Sequence, residues 1–272
     1  MKEITLAIVK IKQSQNKYFC MDKSRNLETI LTKQHNFRDL GGIVAMDGRV
    51  IRHGLLFRSG DFYLLSDHDI SALVQLNLRT IIDLRARREM VNRPDKIIPT
   101  VRETIHIDIH DAAREKAALF LENNDARGLE TILIADYIRM IDKHVGDFSL
   151  FLHLIATTEN LPLVYHCAAG KDRTGMATVF LLTALGVEMQ KIRDDYMATN
   201  EYTKAAAEKI IRNITESGLN GEILRPLLEV REEYLEAALT EIDQKYNSLN
   251  CFVADVLKAD VKGLQERYLM HE

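Results

Sequence analysis

The stretch LPLVYHCAAGKDRTG, residues 161–175, constrains the fold more than any other part of the chain. A mostly apolar run from Leu161 to His166 ends at Cys167 and gives way to a small-residue loop and then to adjacent opposite charges. Such a run, bounded by a glycine-containing loop, reads as a buried strand. The apolar positions from Arg173 to Leu185, closed by Gly186, read as a helix. A strand feeding a helix through a short loop is the unit from which parallel sheets are built, because parallel strands need crossover connections.

The rest of the chain extends that pattern. Thr80–Leu84 and Thr104–Ile107 are short buried-strand candidates. Ser66 followed by Asp69 reads as a capping box ahead of the stripe Ile70, Leu73, Val74 and Leu76. Turn signals at Asp47-Gly48 suggest a small hairpin within 46–60. Residues 130–155 carry helical spacing, with Gly146 as a break. Glu188–Asn200, Glu201–Ser217 and Glu229–Tyr246 read as three helices, and 249–272 as one or two short ones. Strands alternating with helices predict an α/β fold. It would have a small, mostly parallel twisted sheet flanked by helices, with a helical C-terminal third. Residues 1–34 read as a strand-rich extension packed on a single domain, 35–272.

Composition narrows the class. Of 272 residues, 46% are apolar, enough for a sizeable core, and the net charge of −4 argues against nucleic acid as a partner. No run of about eighteen apolar residues is present, so no integral membrane segment is expected. The opening MKEITLAIVKIKQ lacks the features of a signal peptide. Three widely spaced cysteines, Cys20, Cys167 and Cys251, make no disulfide framework. A reducing, cytoplasmic setting is the expectation, with export by an unrecognised route left open. The oligomeric state is not legible in the sequence.

The loop at 167–174 carries the chemistry. Backbone N–H groups of Ala168, Ala169, Gly170, Lys171, Asp172 and Arg173 can converge on an anion, helped by the unpaired N–H groups of the following helix. A thiol at the loop's start sits in that positive field, which favours the thiolate. Arg173, six positions on, brings a planar fork that grips two oxygens of a phosphate. Thr174 can donate its hydroxyl to the sulfur. Nucleophile, cradle and clamp together suit phosphoryl transfer to sulfur and hydrolysis of the resulting phosphocysteine. No cofactor and no metal is called for. The rival readings are a phosphate-binding module that does not turn over, and sulfur or arsenate redox chemistry. The latter usually needs resolving cysteines nearby, and Cys20 and Cys251 are remote in sequence.

The string HCAAGKDRTG resembles the active-site loop of the atypical bacterial protein tyrosine and dual-specificity phosphatases. The likeness continues in NFRDLGG at 36–42, Arg58-Ser59, Asp83-Leu84-Arg85 with Glu89 shortly after, LGV at 185–187, Asp195-Tyr196 and REEYLEAAL at 231–239. The resemblance implies a metal-independent cysteine-phosphatase fold acting on phosphotyrosine. Several members also accept phosphoserine, phosphothreonine or phosphoinositides. A phosphorylated protein is therefore the first expectation for the substrate, and a phosphoinositide or inositol phosphate the alternative.

A leaving alkoxide or phenoxide needs a proton, and the donor is open at this stage. The family favours Asp172, whose other reading is a partner for Arg or Lys within the loop. Asp111, which ends the strand-like IHIDIHD, and Asp83, at a strand's end, are alternatives, with Asp83 equally readable as a partner for Arg38 or Arg85. Arg93-Pro94-Asp95 reads as a turn. Lys171 is either a second cation at the phosphate, favouring multiply phosphorylated head groups, or a solvated surface charge. His166 is expected to tune the sulfur through hydrogen bonds, and Arg38, Asp39 and Arg58 to brace the loop from behind. Residues 201–228 lie where the family can carry a lid.

Overall fold

The structure, a computed structural model, describes residues 36–110 and 112–271. The expected extension at 1–34 and the candidate Asp111 lie outside the described residues. Five strands form the central sheet: β1 (Arg38–Asp39), β3 (Leu56–Ser59), β4 (Thr80–Asp83), β5 (Glu103–His106) and β6 (Leu163–His166), in the order β1-β3-β6-β4-β5. All neighbours are parallel except β1, which runs antiparallel to β3. The register sets Ser59, His166, Asp83 and His106 in one row across the C-terminal edge of the parallel strands. Ligands in open α/β sheets collect at that edge.

Alternation of side chains divides the core between the two faces of the sheet. Phe57, Ile81 and Val164 face one way, with Phe37, Phe62, Leu65 and Leu73. Leu73 belongs to α1 (Asp67–Gln75), whose start is the expected capping box: Ser66 Oγ takes the Asp69 amide and Asp69 takes the Ser66 amide. Leu56, Ile82, Leu163 and Tyr165 face the other way, into the larger cluster. That cluster draws on α4 (Ala126–Lys143), α5 (Val145–Thr157) and α6 (Asp172–Ala184). The first helices in chain order after α1 are α2 (Arg87–Asn92) and α3 (Ala112–Glu122). The C-terminal part holds α7 (Met189–Glu216), α8 (Arg225–Leu228), α9 (Glu232–Tyr246) and α10 (Val261–Tyr268).

Three expectations are corrected. The turn at Asp47-Gly48 forms and closes a bridge between Val44 and Val50, but no hairpin follows. Instead β2 (Val50–Ile51) pairs antiparallel with β7 (Leu269–Met270), a strand within the expected helical tail at 249–272. The helices expected at 188–200 and 201–217 are one 28-residue helix, α7. No Gly or Pro interrupts it, and Asn200 spends its side chain on the Val230 backbone (Nδ2 to O 2.9 Å, N to Oδ1 2.8 Å) rather than on ending the helix. The break between α4 and α5 falls at His144, whose ring meets Asp147 at 2.7 Å, and not at Gly146.

Candidate active site

Between the end of β6 and the start of α6, residues 167–171 form a loop whose carbonyls are held from outside. The Ala168 carbonyl accepts from the Asp61 amide at 3.0 Å. Asn36 Nδ2 donates to the carbonyls of Ala169 (3.1 Å) and Gly170 (2.9 Å), and Arg58 Nη2 donates to Gly170 at 2.8 Å. In a trans peptide the N–H points opposite the C=O. Three anchored carbonyls therefore turn the amides of Ala169, Gly170 and Lys171 to the other side, where the first N–H groups of α6 also open. The result is an anion cradle with the buried Cys167 at its origin.

Gly170 is required twice over. Its φ is +68°, and a Cβ there would lie 2.4 Å from the Ser59 carbonyl oxygen. The arginine that follows in the cradle, Arg173, is buried and gripped edge-on by Glu89 of α2. Nη1 donates to Oε2, Nη2 to Oε1 at 3.0 Å, and Nη1 also to the Ile109 carbonyl at 3.1 Å. Glu89 thus fixes the plane of the guanidinium. Thr174 Oγ1 is fully buried and has no hydrogen-bond partner among the described residues, so its proton is available to the sulfur.

A second tier supports the loop. Asp195 of α7 takes Arg38 Nε at 2.8 Å and Arg58 Nη1 on its two oxygens. Burial alone would push the Asp195 carboxyl up, but the Arg58 and Arg38 guanidinium groups outweigh it and hold it below the usual range. Arg38 also reaches Asn36 Oδ1 at 2.6 Å, orienting the amide that holds the loop. Asp39 is a correction. Its carboxylate accepts the amides of Gly41 (2.8 Å) and Gly54 (2.7 Å), tying two turns together away from the cradle.

Asp172 opens α6 and is partly exposed; its Oδ1 accepts from Tyr137 Oη at 2.7 Å. Tyr137 Oη and Tyr196 Oη are 2.8 Å apart. Burial and then the Asp172 charge push both phenols well above their ordinary range, so each keeps its proton. Asp83, weighed as a proton donor, is corrected: it is buried and takes Arg85 on both oxygens (Nε to Oδ1 2.9 Å, Nη2 to Oδ2 2.7 Å). Lys171 is corrected too. Its ammonium donates to the carbonyls of Leu227 (2.8 Å) and Glu229 (3.0 Å) at the end of α8, so it is neither at the cradle nor in solvent. Its backbone amide still faces the cradle.

Sequence reading missed Asn36, Tyr137 and the part played by Asp61. Asn36 begins the NFRDLGG string, which singled it out without giving it a role. Among the described residues, Asp83, Asp95 and His166 form one convergence of potential metal ligands. It is taken up by the Arg85 guanidinium, 2.7 Å from Asp83 and 2.9 Å from Asp95.

A cysteine at the origin of an amide-lined cradle, with an arginine clamp from the same loop, defines a hydrolase of phosphate monoesters that works through sulfur. Residues 30–270 match the model of the tyrosine phosphatase family, and the chain belongs to that family. It is a cysteine-dependent phosphatase whose reaction passes through a phosphocysteine. A candidate tyrosine-protein phosphatase of Cupriavidus necator is 30% identical over 243 residues, 86% of this chain and 85% of its own. The triple specificity protein phosphatase PtpB of Mycobacterium tuberculosis is 29% identical over 255 residues, 81% of this chain and 90% of its own. Among solved structures, a candidate phosphatase of Neisseria meningitidis aligns at 21% identity with a TM-score of 0.31, covering 64% of this chain and 91% of its own. So low a score adds nothing to the fold. Among the described residues no helix is long and apolar enough to cross a membrane.

Proposed function

We propose that the protein is a protein phosphatase of broad specificity, hydrolysing phosphotyrosine first and phosphoserine and phosphothreonine as well. Cys167 Sγ attacks phosphorus, and the bond from phosphorus to the leaving oxygen breaks as Asp172 gives that oxygen its proton. The amides of Ala169, Gly170 and Lys171 and the Arg173 guanidinium carry the three remaining phosphoryl oxygens. Water then attacks phosphorus, its proton passes to Asp172, and the sulfur–phosphorus bond breaks with the electron pair staying on sulfur. Thr174 donates to that sulfur as its charge returns.

The observation that carries this reading is the outward anchoring of three successive loop carbonyls, from Ala168 to Gly170. Such anchoring presents a set of amides to a tetrahedral oxyanion without reorganisation. The preference for phosphoproteins over phosphoinositides rests on Lys171. Its ammonium was the loop's one feature suited to a multiply charged head group, and it is committed to the carbonyls of Leu227 and Glu229. Turnover of phosphotyrosine, phosphoserine, phosphothreonine and phosphoinositide substrates by wild type, beside Cys167→Ser, tests the proposal. Phosphopeptides should lead, and Cys167→Ser should lose about three or more orders of magnitude on every substrate. Phosphoinositides turned over faster than any phosphopeptide would reverse the assignment.

A further inference from the structure

We propose that Asp95 is a positioning residue for the reaction, holding the His166 ring doubly protonated against the Cys167 backbone. From the sequence alone Arg93-Pro94-Asp95 reads as a turn. In the structure Asp95 reaches three elements at once. Its Oδ1 accepts the Phe62 amide at 2.8 Å, and its Oδ2 takes Arg85 Nη2 at 2.9 Å and lies 3.1 Å from His166 Nε2. On the other side of the ring, His166 Nδ1 meets the Cys167 carbonyl oxygen at 3.1 Å. Phe62 packs its ring at 5.2 Å from the imidazole, and His166 is wholly buried.

A carbonyl oxygen and a carboxylate oxygen can only accept, yet a neutral imidazole has a single N–H. With that N–H on Nδ1 for the Cys167 carbonyl, a neutral ring would set a bare Nε2 3.1 Å from the Asp95 carboxylate, acceptor against acceptor; a second proton on Nε2 turns this contact, which is not aligned as a hydrogen bond, into an ion pair. The charges around the ring agree. Asp95 faces it from the 93–95 turn, and Asp83 from β4 at 3.9 Å. Arg85 opposes them and is itself spread over Asp83, Asp95 and, at 3.8 Å, Asp61. His106 on β5 faces the Arg85 carbonyl at 2.7 Å rather than the His166 ring. Burial works against a charged ring, but the close Asp95 carboxylate and the Asp83 charge outweigh it and bring His166 up to about 9.

A positive ring one residue from the nucleophile matters most when phosphocysteine is hydrolysed. There the sulfur takes back the electron pair of the sulfur–phosphorus bond, and a nearby cation favours that departure. Removing the Asp95 carboxylate leaves the ring without its fixed counter-charge. The second half of the reaction then slows wherever the ring has gone neutral. This step rests on Cys167 being the attacking atom, as proposed above.

The test is a titration of the full chain labelled with 15N-histidine, the His166 ring being assigned by its loss in His166→Gln. In wild type both ring nitrogens should still be protonated at about pH 8, as expected for a buried imidazolium paired with carboxylates. In Asp95→Asn the midpoint should fall by about 1–3 pH units, the usual effect of one close opposite charge. Above the new midpoint kcat and KM should fall together as phosphocysteine accumulates, and below it they should match wild type. Asp95→Glu should restore the wild-type titration. A singly protonated ring in wild type at that pH overturns the proposal, and needs no variant that might fail to fold. So does an Asp95→Asn ring that titrates as in wild type, or one that goes neutral with kcat unchanged. The ring titration is read whether or not the sulfur is the nucleophile, whereas an active Cys167→Ser would remove the mechanism alone.

Discussion

Arg58 donates to the Gly170 carbonyl at 2.8 Å while its other terminal nitrogen pairs with Asp195, so one buried guanidinium joins the catalytic loop to α7. Removing it leaves Asp195 buried beside one cation instead of two and leaves the Gly170 carbonyl held by Asn36 alone. Breaking a buried pair from one side costs about 3–5 kcal/mol. Arg58→Met should therefore lower the melting temperature and weaken inhibition by inorganic phosphate in the same variant. A variant that melts normally and binds phosphate as wild type does would show that Arg58 does not shape the cradle.

Glu89→Gln should leave the fold standing but loosen Arg173, because the amide keeps one acceptor oxygen where the carboxylate had two and carries no charge, so one of the two bonds to the guanidinium is lost and the other weakened. A loss of roughly tenfold or more in kcat/KM is expected, since misplacement of a clamp by about 1 Å is already costly. Steady-state kinetics beside a melting curve checks it. An unchanged kcat/KM would mean that the guanidinium is held without Glu89.

Gly170→Ala meets both a left-handed backbone and the Ser59 carbonyl, 2.4 Å from the new methyl. A rigid strand end cannot retreat cheaply. The substitution should cost about 1–3 kcal/mol of strain and abolish phosphate binding. Calorimetric titration with inorganic phosphate reads the second effect directly.

Tyr137→Phe removes the donor that fixes Asp172 and leaves the fold's packing intact. If Asp172 protonates the leaving group, the loss should grow with the basicity of that group. It should be small for p-nitrophenyl phosphate and larger for phenyl phosphate or phosphoserine peptides. Asp172→Asn should show the same trend more steeply. A flat dependence in both variants would move the proton donor elsewhere.

His166 also makes the fold pH-sensitive. Its folded value, about 9, lies above the ordinary 6.5, so the folded state binds the extra proton. That contribution, on the order of a few kcal/mol, is fully present below about pH 6.5 and is lost as pH rises through about 9. Chemical denaturation across that window should show stability falling in wild type and a flatter response in His166→Gln.

Much of this architecture is legible in the residues. The strand and helix on either side of Cys167, the capping box at Ser66 and Asp69, and the strands at 80 and 104 all follow from local periodicity and cap chemistry, which need no knowledge of distant partners. What escaped is non-local. The β2–β7 pairing joins residues at opposite ends of the described chain, and two residues per strand carry too little pattern to declare it. Lys171 looked like a ligand for phosphate because sequence cannot show the carbonyls of Leu227 and Glu229 waiting for it. Asp83 and Asp95 looked alike as acids at strand ends or turns, and only burial and the position of Arg85 and His166 assign them to the underside of the loop. Asn36, 131 positions before Cys167, has no local signature for gripping a loop so far away.

The most direct test is to stop turnover of a 32P-labelled phosphotyrosine peptide within one cycle, digest the protein and locate the label. It should sit on the peptide containing Cys167, and Cys167→Ser should bind the same substrate without releasing phosphate. Label on another residue, or full turnover by Cys167→Ser with no labelled protein, would contradict a phosphoryl group passing through this sulfur.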